Sequence, residues 1–163
     1  MDSTEATTGP WRTAPLDQVI THLLDAYHKP LRAELGRLAA LTTELAIEAG
    51  RAEPRLLELR RCFSELDHEL HLHMEKEEQI LFPMILAGDG AHAGGPIQVM
   101  EHEHVGARAL LAELRRLTDG YRAAPGASER QVTVFAGLAA LERAMNAHID
   151  LENHVLHPRA LAD

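Results

Sequence analysis

The sequence predicts an all-α fold, an up-down-up-down four-helix bundle, and three observations carry that prediction. Apolar residues recur every three or four positions through four long stretches, and no stretch alternates with the period of two that a strand requires. Leu and Ala abound while aromatic residues make up only 4% of the chain, a composition suited to packing helix on helix. The connections between the periodic stretches are short and carry Gly or Pro, so consecutive helices run antiparallel. A chain of 163 residues is long enough for one domain with a sizeable core.

Taken in order, residues 1–10, MDSTEATTGP, are small and polar and read as a disordered tail, leaving residues 11–163 as the folded domain. Trp11 is expected to pack the end of this tail on the body. Helix one opens near residues 13–15, where a threonine and a proline suit a helix start. Its stripe is Ile20, Leu24, Tyr27/His28, Leu31, Leu35 and Leu38, and it ends at Gly50. Pro30 lies inside the pattern and should kink the helix just after His28. Helix two runs from about Pro54 to Leu86 with the stripe Leu66, Leu70, His73, Glu77, Ile80, Met84, and Pro83 disturbs its last turns. A glycine-rich loop, residues 87–95, follows. Helix three carries Pro96 in its first turn and the stripe Ile97, Met100, His104, Ala107, Leu111, Leu114, ending near residues 119–120. Helix four starts at Ser128, which forms a capping box with Gln131. Its stripe is Val134, Leu138, Leu141, Met145, His148, Glu152, Val155, and it runs to about His157, before Pro158.

The charge balance excludes several classes of partner. With 16 basic against 25 acidic residues the net charge is −9, and no basic cluster exists to neutralise nucleic-acid phosphates or an anionic membrane surface. No apolar run approaches the ~20 residues that span a bilayer. Cys62 is the single cysteine, so no internal disulfide can form, which fits a reducing compartment. No signal peptide opens the sequence, and a cytoplasmic protein is expected.

The 11 histidines are the unusual count. Those lying on inward stripes are His28, His73, His104 and His148, joined by two carboxylates, Glu77 and Glu152. His73 and Glu77, like His148 and Glu152, stand four apart and therefore share a helix face. At ~1.5 Å per residue, the six fall near one level of an antiparallel bundle. Buried imidazoles and carboxylates are rare unless paired or bound to metal, so this pattern points to a metal site inside the bundle. Imidazole with carboxylate suits iron, zinc, copper or manganese. Six ligands exceed what one structural zinc takes, and two carboxylates are what a dinuclear site needs as bridges. A pair of irons is the first expectation, with manganese left open. His68, His71, His92, His102, His154 and His157 fall off the stripes and read as surface or outer groups, and Glu75, Lys76 and Glu78 as a solvated face.

At these residues the sequence resembles the hemerythrin-like (HHE) family, and within it the di-iron domain of the repair-of-iron-centres proteins, which act on iron–sulfur clusters damaged by nitric oxide and oxidants. The stretches PWRTAPLDQVITHLLDAYHKPLR, HMEKEEQILFPMI, GPIQVMEHEH and HIDLENHVLHPRALA carry the resemblance over about residues 10–161. It implies a hemerythrin-like bundle whose metal ligands are His28, His73, Glu77, His104, His148 and Glu152. The cofactor it implies is two iron ions in an oxo- or hydroxo-bridged centre, with Glu77 and Glu152 bridging. Nitric oxide or dioxygen is the implied diatomic ligand, and damaged iron–sulfur proteins are implied partners. The sequence departs from the pattern in two ways. It has no counterpart of the N-terminal paired-cysteine domain that repair proteins usually carry. A further histidine common near the end of helix one is absent, since the sequence reads LAIEAG there, and the extra helix-three histidine of hemerythrins proper is Met100 here. With His28 and His73 expected on one iron and His104 and His148 on the other, the second iron lacks a nitrogen. Glu48, Glu101 or water is the expected replacement.

Two functions follow as expectations. The first is a stress-response protein for iron–sulfur cluster repair or iron handling, with the resemblance leaving open a redox activity toward nitric oxide or peroxide. The alternative is a hemerythrin-type oxygen or nitric oxide carrier or sensor without enzymatic activity. A ferritin-like oxidase fits less well, because its Glu-x-x-His motif occurs here only as Glu101 with His104.

Overall fold

Each periodic stretch buries its apolar face against the others, and in a computed structural model, which describes residues 3–162, they are four long helices. These span residues 16–49, 55–86, 94–117 and 129–162 and are called helices one to four. Their short connections make them run up, down, up and down, and no strand occurs among the described residues. Ser128 caps helix four as its sequence indicates, its Oγ accepting from the Gln131 backbone N–H at 3.2 Å.

Three of the four helices change their winding at one level of the bundle. The backbone forms a π-turn at Leu23–His28 in helix one, at Glu77–Leu81 in helix two and at Glu152–Leu156 in helix four. Each is closed by a bond five residues long: Lys29 N–H to Leu24 O, Phe82 N–H to Glu77 O, and His157 N–H to Glu152 O. A proline stands two residues past the end of each turn, Pro30, Pro83 and Pro158. Proline offers no N–H to the carbonyl four residues back, and its ring collides with that carbonyl. The wider turn moves the carbonyl aside, so the helix passes through the proline. Helix four accordingly continues to Ala162 and does not stop before Pro158.

A π-turn places one extra residue in the helix, so the inward stripe on one side of it is displaced by one relative to the other. In helix one Leu23 is buried rather than Leu24. In helix two Ile80, expected inside, is 50% exposed, and Leu81, Phe82 and Ile85 are buried instead.

The core has two apolar parts. One gathers Leu35, Leu38, Leu66, Leu111, Phe135 and Leu138 with their neighbours, and the other gathers Ile20, Leu23, Phe82, Ile97, Leu151 and Val155. The polar residues of the inward stripes lie at the level between them. The N-terminal segment departs from the expected tail: Ser3–Thr8 is helical and Gly9–Trp11 forms a 3-10 turn. Met1 and Asp2 lie outside the described residues. Trp11 stacks on His22 with ring centroids 4.1 Å apart, and Arg159 donates to the carbonyls of Ala14 and Trp11 at 2.6 and 3.0 Å. The stack ties the segment to helix one, and the Arg159 bonds tie it to the end of helix four.

Candidate metal centre

The four predicted imidazoles and two predicted carboxylates meet at one place. His28, His73, Glu77, His104, His148 and Glu152 are all buried, and both carboxylates are 0% exposed. Their donor atoms form two sets, His28–Glu77–His148–Glu152 and His73–Glu77–His104–Glu152, each with one ligand atom per residue within 4.8 Å of the rest. Glu77 and Glu152 belong to both sets.

The carboxylates connect the sets in a specific way. Glu77 turns Oε2 to His28 Nε2 at 3.2 Å and Oε1 to His73 Nε2 at 3.4 Å. Glu152 turns Oε1 to His148 Nε2 at 2.9 Å and Oε2 to His104 Nε2 at 3.0 Å. Each carboxylate therefore offers one oxygen to each set, as a bridge between two cations does. This corrects the expected grouping of imidazoles. His28 and His73 share a carboxylate but not a set: His28 belongs with His148, and His73 with His104. Sharing follows helix neighbours, with His28 and His148 centroids 5.0 Å apart and those of His73 and His104 4.8 Å apart.

The protein alone does not satisfy these atoms. Both oxygens of Glu77, Oε2 of Glu152 and Nε2 of His28 are buried without a hydrogen-bond partner. Nε2 of His73 and Nε2 of His104 stand only 3.1 Å apart, two ring nitrogens facing one another. Buried polar groups left unpaired are costly and rare, and here four such atoms crowd one spot. Two divalent cations fit this donor set, each facing two imidazole nitrogens and two carboxylate oxygens.

Outer groups hold the rings. His28 Nδ1 lies 2.8 Å from Glu78 Oε1, to which Arg32 also donates at 2.8 Å. His73 Nδ1 lies 2.9 Å from Glu103 Oε2, and Lys76 donates to the other oxygen of Glu103. His104 Nδ1 lies 2.8 Å from Asn153 Oδ1. An acceptor at Nδ1 fixes the proton there and leaves the Nε2 lone pair facing inward, the tautomer a metal needs. The sequence reading missed these partners and placed Glu78 and Lys76 on a solvated face. A signal was present: Glu78, Glu103 and Asn153 each adjoin a predicted ligand in sequence and reach the neighbouring helix.

The expected substitutes for a missing nitrogen are elsewhere. Glu48 pairs with Arg130 on the surface. Glu101, half exposed, faces His157 Nδ1 at 3.3 Å. His157, expected as an outer or surface group, is 1% exposed and stacks on His104. It lies five residues after Glu152, and the π-turn brings that position onto the inward face, which a 3.6-residue period does not foresee.

Charge at the cluster follows from this geometry. Burial works against both carboxylates, but the facing imidazoles outweigh it and hold Glu77 below, and Glu152 well below, the usual carboxylate range. Burial likewise works against a charged His73, yet the attraction of Glu77 outweighs it and lifts His73 to about 9. His28 is raised for the same reason. In the metal-free chain, protons on these imidazoles thus offset the two buried anions. A cavity of about 250 Å³ between helices two and three reaches His73 and His104 past Lys76 and Glu103. Between helices one and four an apolar groove of about 200 Å³, lined by Tyr27, Leu141 and Met145, reaches His148. No helix among the described residues is long and apolar enough to cross a membrane.

The chain is similar to known proteins. The chain matches the Hemerythrin HHE cation binding domain over residues 19–160. It is 39% identical over 165 residues to the iron-sulfur cluster repair protein YtfE of Edwardsiella ictaluri (strain 93-146), an alignment covering 100% of this chain and 74% of the relative. The YtfE proteins of Citrobacter koseri and of Escherichia coli O1:K1 / APEC are each 40% identical over 154 residues, covering 93% of this chain and 69% of theirs. With the buried His/Glu sets and this match along most of its length, the chain belongs to the hemerythrin HHE cation binding domain family.

Proposed function

We propose that this chain is a non-haem di-iron protein that acts in the repair of iron–sulfur centres damaged by nitric oxide or oxidants. The observation that carries this reading is the pair of buried His/Glu sets sharing Glu77 and Glu152, in a chain about 40% identical to iron–sulfur cluster repair proteins. Iron in such a site supplies one-electron redox change and affinity for a small ligand such as nitric oxide or dioxygen. His28, His73, His104 and His148 are the nitrogen ligands in this proposal, with Glu77 and Glu152 spanning the two positions.

The chain's own residues prepare the site. Glu78, Glu103 and Asn153 orient three of the imidazoles. The apolar cores on either side keep bulk water from the carboxylates and strengthen their pull on a cation. The cavity beside Lys76 and Glu103 leaves the His73–His104 side within reach of small molecules.

The test uses an iron–sulfur dehydratase inactivated by nitric oxide or peroxide. Iron-loaded chain should restore its activity, and the Glu77→Ala variant should not. Recovery that is equal with free iron alone would refute the repair reading. Enclosure of the six residues also suits a carrier or sensor of oxygen or nitric oxide. A fully reversible spectral change with dioxygen, without cluster recovery, would establish that second reading instead.

A further inference from the structure

The two helices carrying a His-x-x-x-Glu pair are built alike beyond the pair. Helix two reads His73, Glu77, Phe82, Pro83, and helix four reads His148, Glu152, His157, Pro158, at the same spacings. In both, the π-turn sets the residue five past the glutamate on the inward face. Phe82 stacks on His28 at a centroid distance of 5.6 Å, and His157 stacks on His104 at 5.9 Å with planes 3° apart. One half of the centre is thus covered by a hydrocarbon ring and the other by an imidazole.

Packing alone does not call for that imidazole, since phenyl fills the corresponding place in helix two. Its nitrogens are also unusual. Nδ1 faces Glu101, while Nε2 is buried and has no partner. An unpaired buried polar atom is costly. The Glu101 carboxylate accepts from Nδ1–H, so the neutral ring carries its lone pair on Nε2. His28, His73 and His104 are arranged in the same way, with an outer acceptor on Nδ1 and Nε2 turned to the interior. His157 nevertheless belongs to neither donor set. Its ring lies parallel to His104 on the His73–His104 side, with Nδ1 turned to Glu101 and Nε2 buried.

We propose that His157 is a specificity-determining residue: its Nε2 accepts a hydrogen bond from a small ligand bearing O–H or N–H on the His73–His104 side, making that side prefer protic over aprotic ligands. Peroxides, hydroxylamines and hydroxamates are the chemical class. The inference rests on the two-metal reading above, and the experiment separates the two.

The full chain is loaded with cobalt(II), whose electronic spectrum reports ligand binding, and the metal content is measured first. Acetohydroxamic acid, which carries O–H and N–H, is then titrated against acetate, which carries neither. His157→Phe copies the residue found in helix two and keeps the volume. It should weaken acetohydroxamic acid roughly fivefold to tenfold, the worth of one hydrogen bond, and leave acetate unchanged. His157→Gln, which keeps an acceptor, should recover part of the loss. Long-range proton–nitrogen NMR of the wild-type chain reads the ring directly: Nε2 should be unprotonated and should shift with acetohydroxamic acid but not with acetate. Equal weakening of both ligands, no weakening of either, or a protonated Nε2 would overturn the proposal. A chain that takes up no cobalt would instead overturn the two-metal reading, while the NMR result still tests the tautomer.

Discussion

Removing the metals should make the protein's stability fall with rising pH in a window set by His73. In the metal-free chain the Glu77 carboxylate holds the His73 proton, raising the group from 6.5 to about 9. The folded state therefore binds this proton more tightly than the unfolded chain does. Its full contribution is present below about pH 6.5 and is lost as the pH rises through about 9. A rise of that size corresponds to ~3 kcal/mol, and His73 is 3% exposed, so solvent screening removes little of it. The depressed carboxylates Glu77 and Glu152 add nothing in this window, because their contribution disappears only on acidification below the ordinary carboxylate range. His28 is displaced in the same direction as His73 and adds to the slope. Bound metal takes the proton's place on Nε2, so the loaded protein should not show the decline. Urea unfolding of chelator-treated and metal-loaded protein at several pH values between 6 and 9 measures both curves, and calorimetry in buffers of different ionisation heat should show protons released on metal uptake. A metal-free stability that is flat or rises across this window would refute the charge balance assigned to the cluster.

Other substitutions sort the groups by role. Glu77→Ala and Glu152→Ala should each lose metal at both positions, whereas His71→Ala, at a partly exposed site, and His102→Ala, at an exposed one, should leave metal content intact. Loss of metal from His71→Ala with retention in His73→Ala would show that the helix-two register is wrong. Glu78→Gln and Glu103→Gln should weaken metal affinity by about 10–100-fold without emptying the site, as expected for groups that orient a ligand, read by competition with a chelator. Gly137→Ala should destabilise the bundle by ~1–3 kcal/mol, because a Cβ there would stand 2.7 Å from Leu38 Cδ2 and 2.9 Å from Arg37 Nη2 where helices one and four approach; denaturant unfolding checks it.

The bundle and the six inward polar residues were legible because a straight α-helix was the right template up to the metal level. From Leu66 to Glu77 and from Val134 to Glu152 the stripe keeps its period, and the residues it names are buried. Beyond those points the template failed for a local chemical reason, the prolines at 30, 83 and 158. Their π-turns advance the stripe by one residue, which turned Ile80 outward and His157 inward. The prolines themselves were visible, but as kinks or stops. The grouping of imidazoles was illegible for another reason: spacing shows that His73 and Glu77 share a face, not which oxygen of the carboxylate turns to which neighbour. Glu48 and Glu101 were plausible by position along the chain, yet Arg130 and His157 occupy them.

The proposed chemistry depends on two metal ions sharing Glu77 and Glu152 inside one chain. Anaerobic titration of the metal-free protein with ferrous iron, followed by iron analysis and Mössbauer spectroscopy after oxidation, tests it most directly. Two irons per chain are expected, with the two ferric sites antiferromagnetically coupled through a shared bridge, and with coupling and content both lost in Glu77→Ala. A protein that holds a single zinc and refuses iron, or two irons that remain magnetically independent, would contradict it.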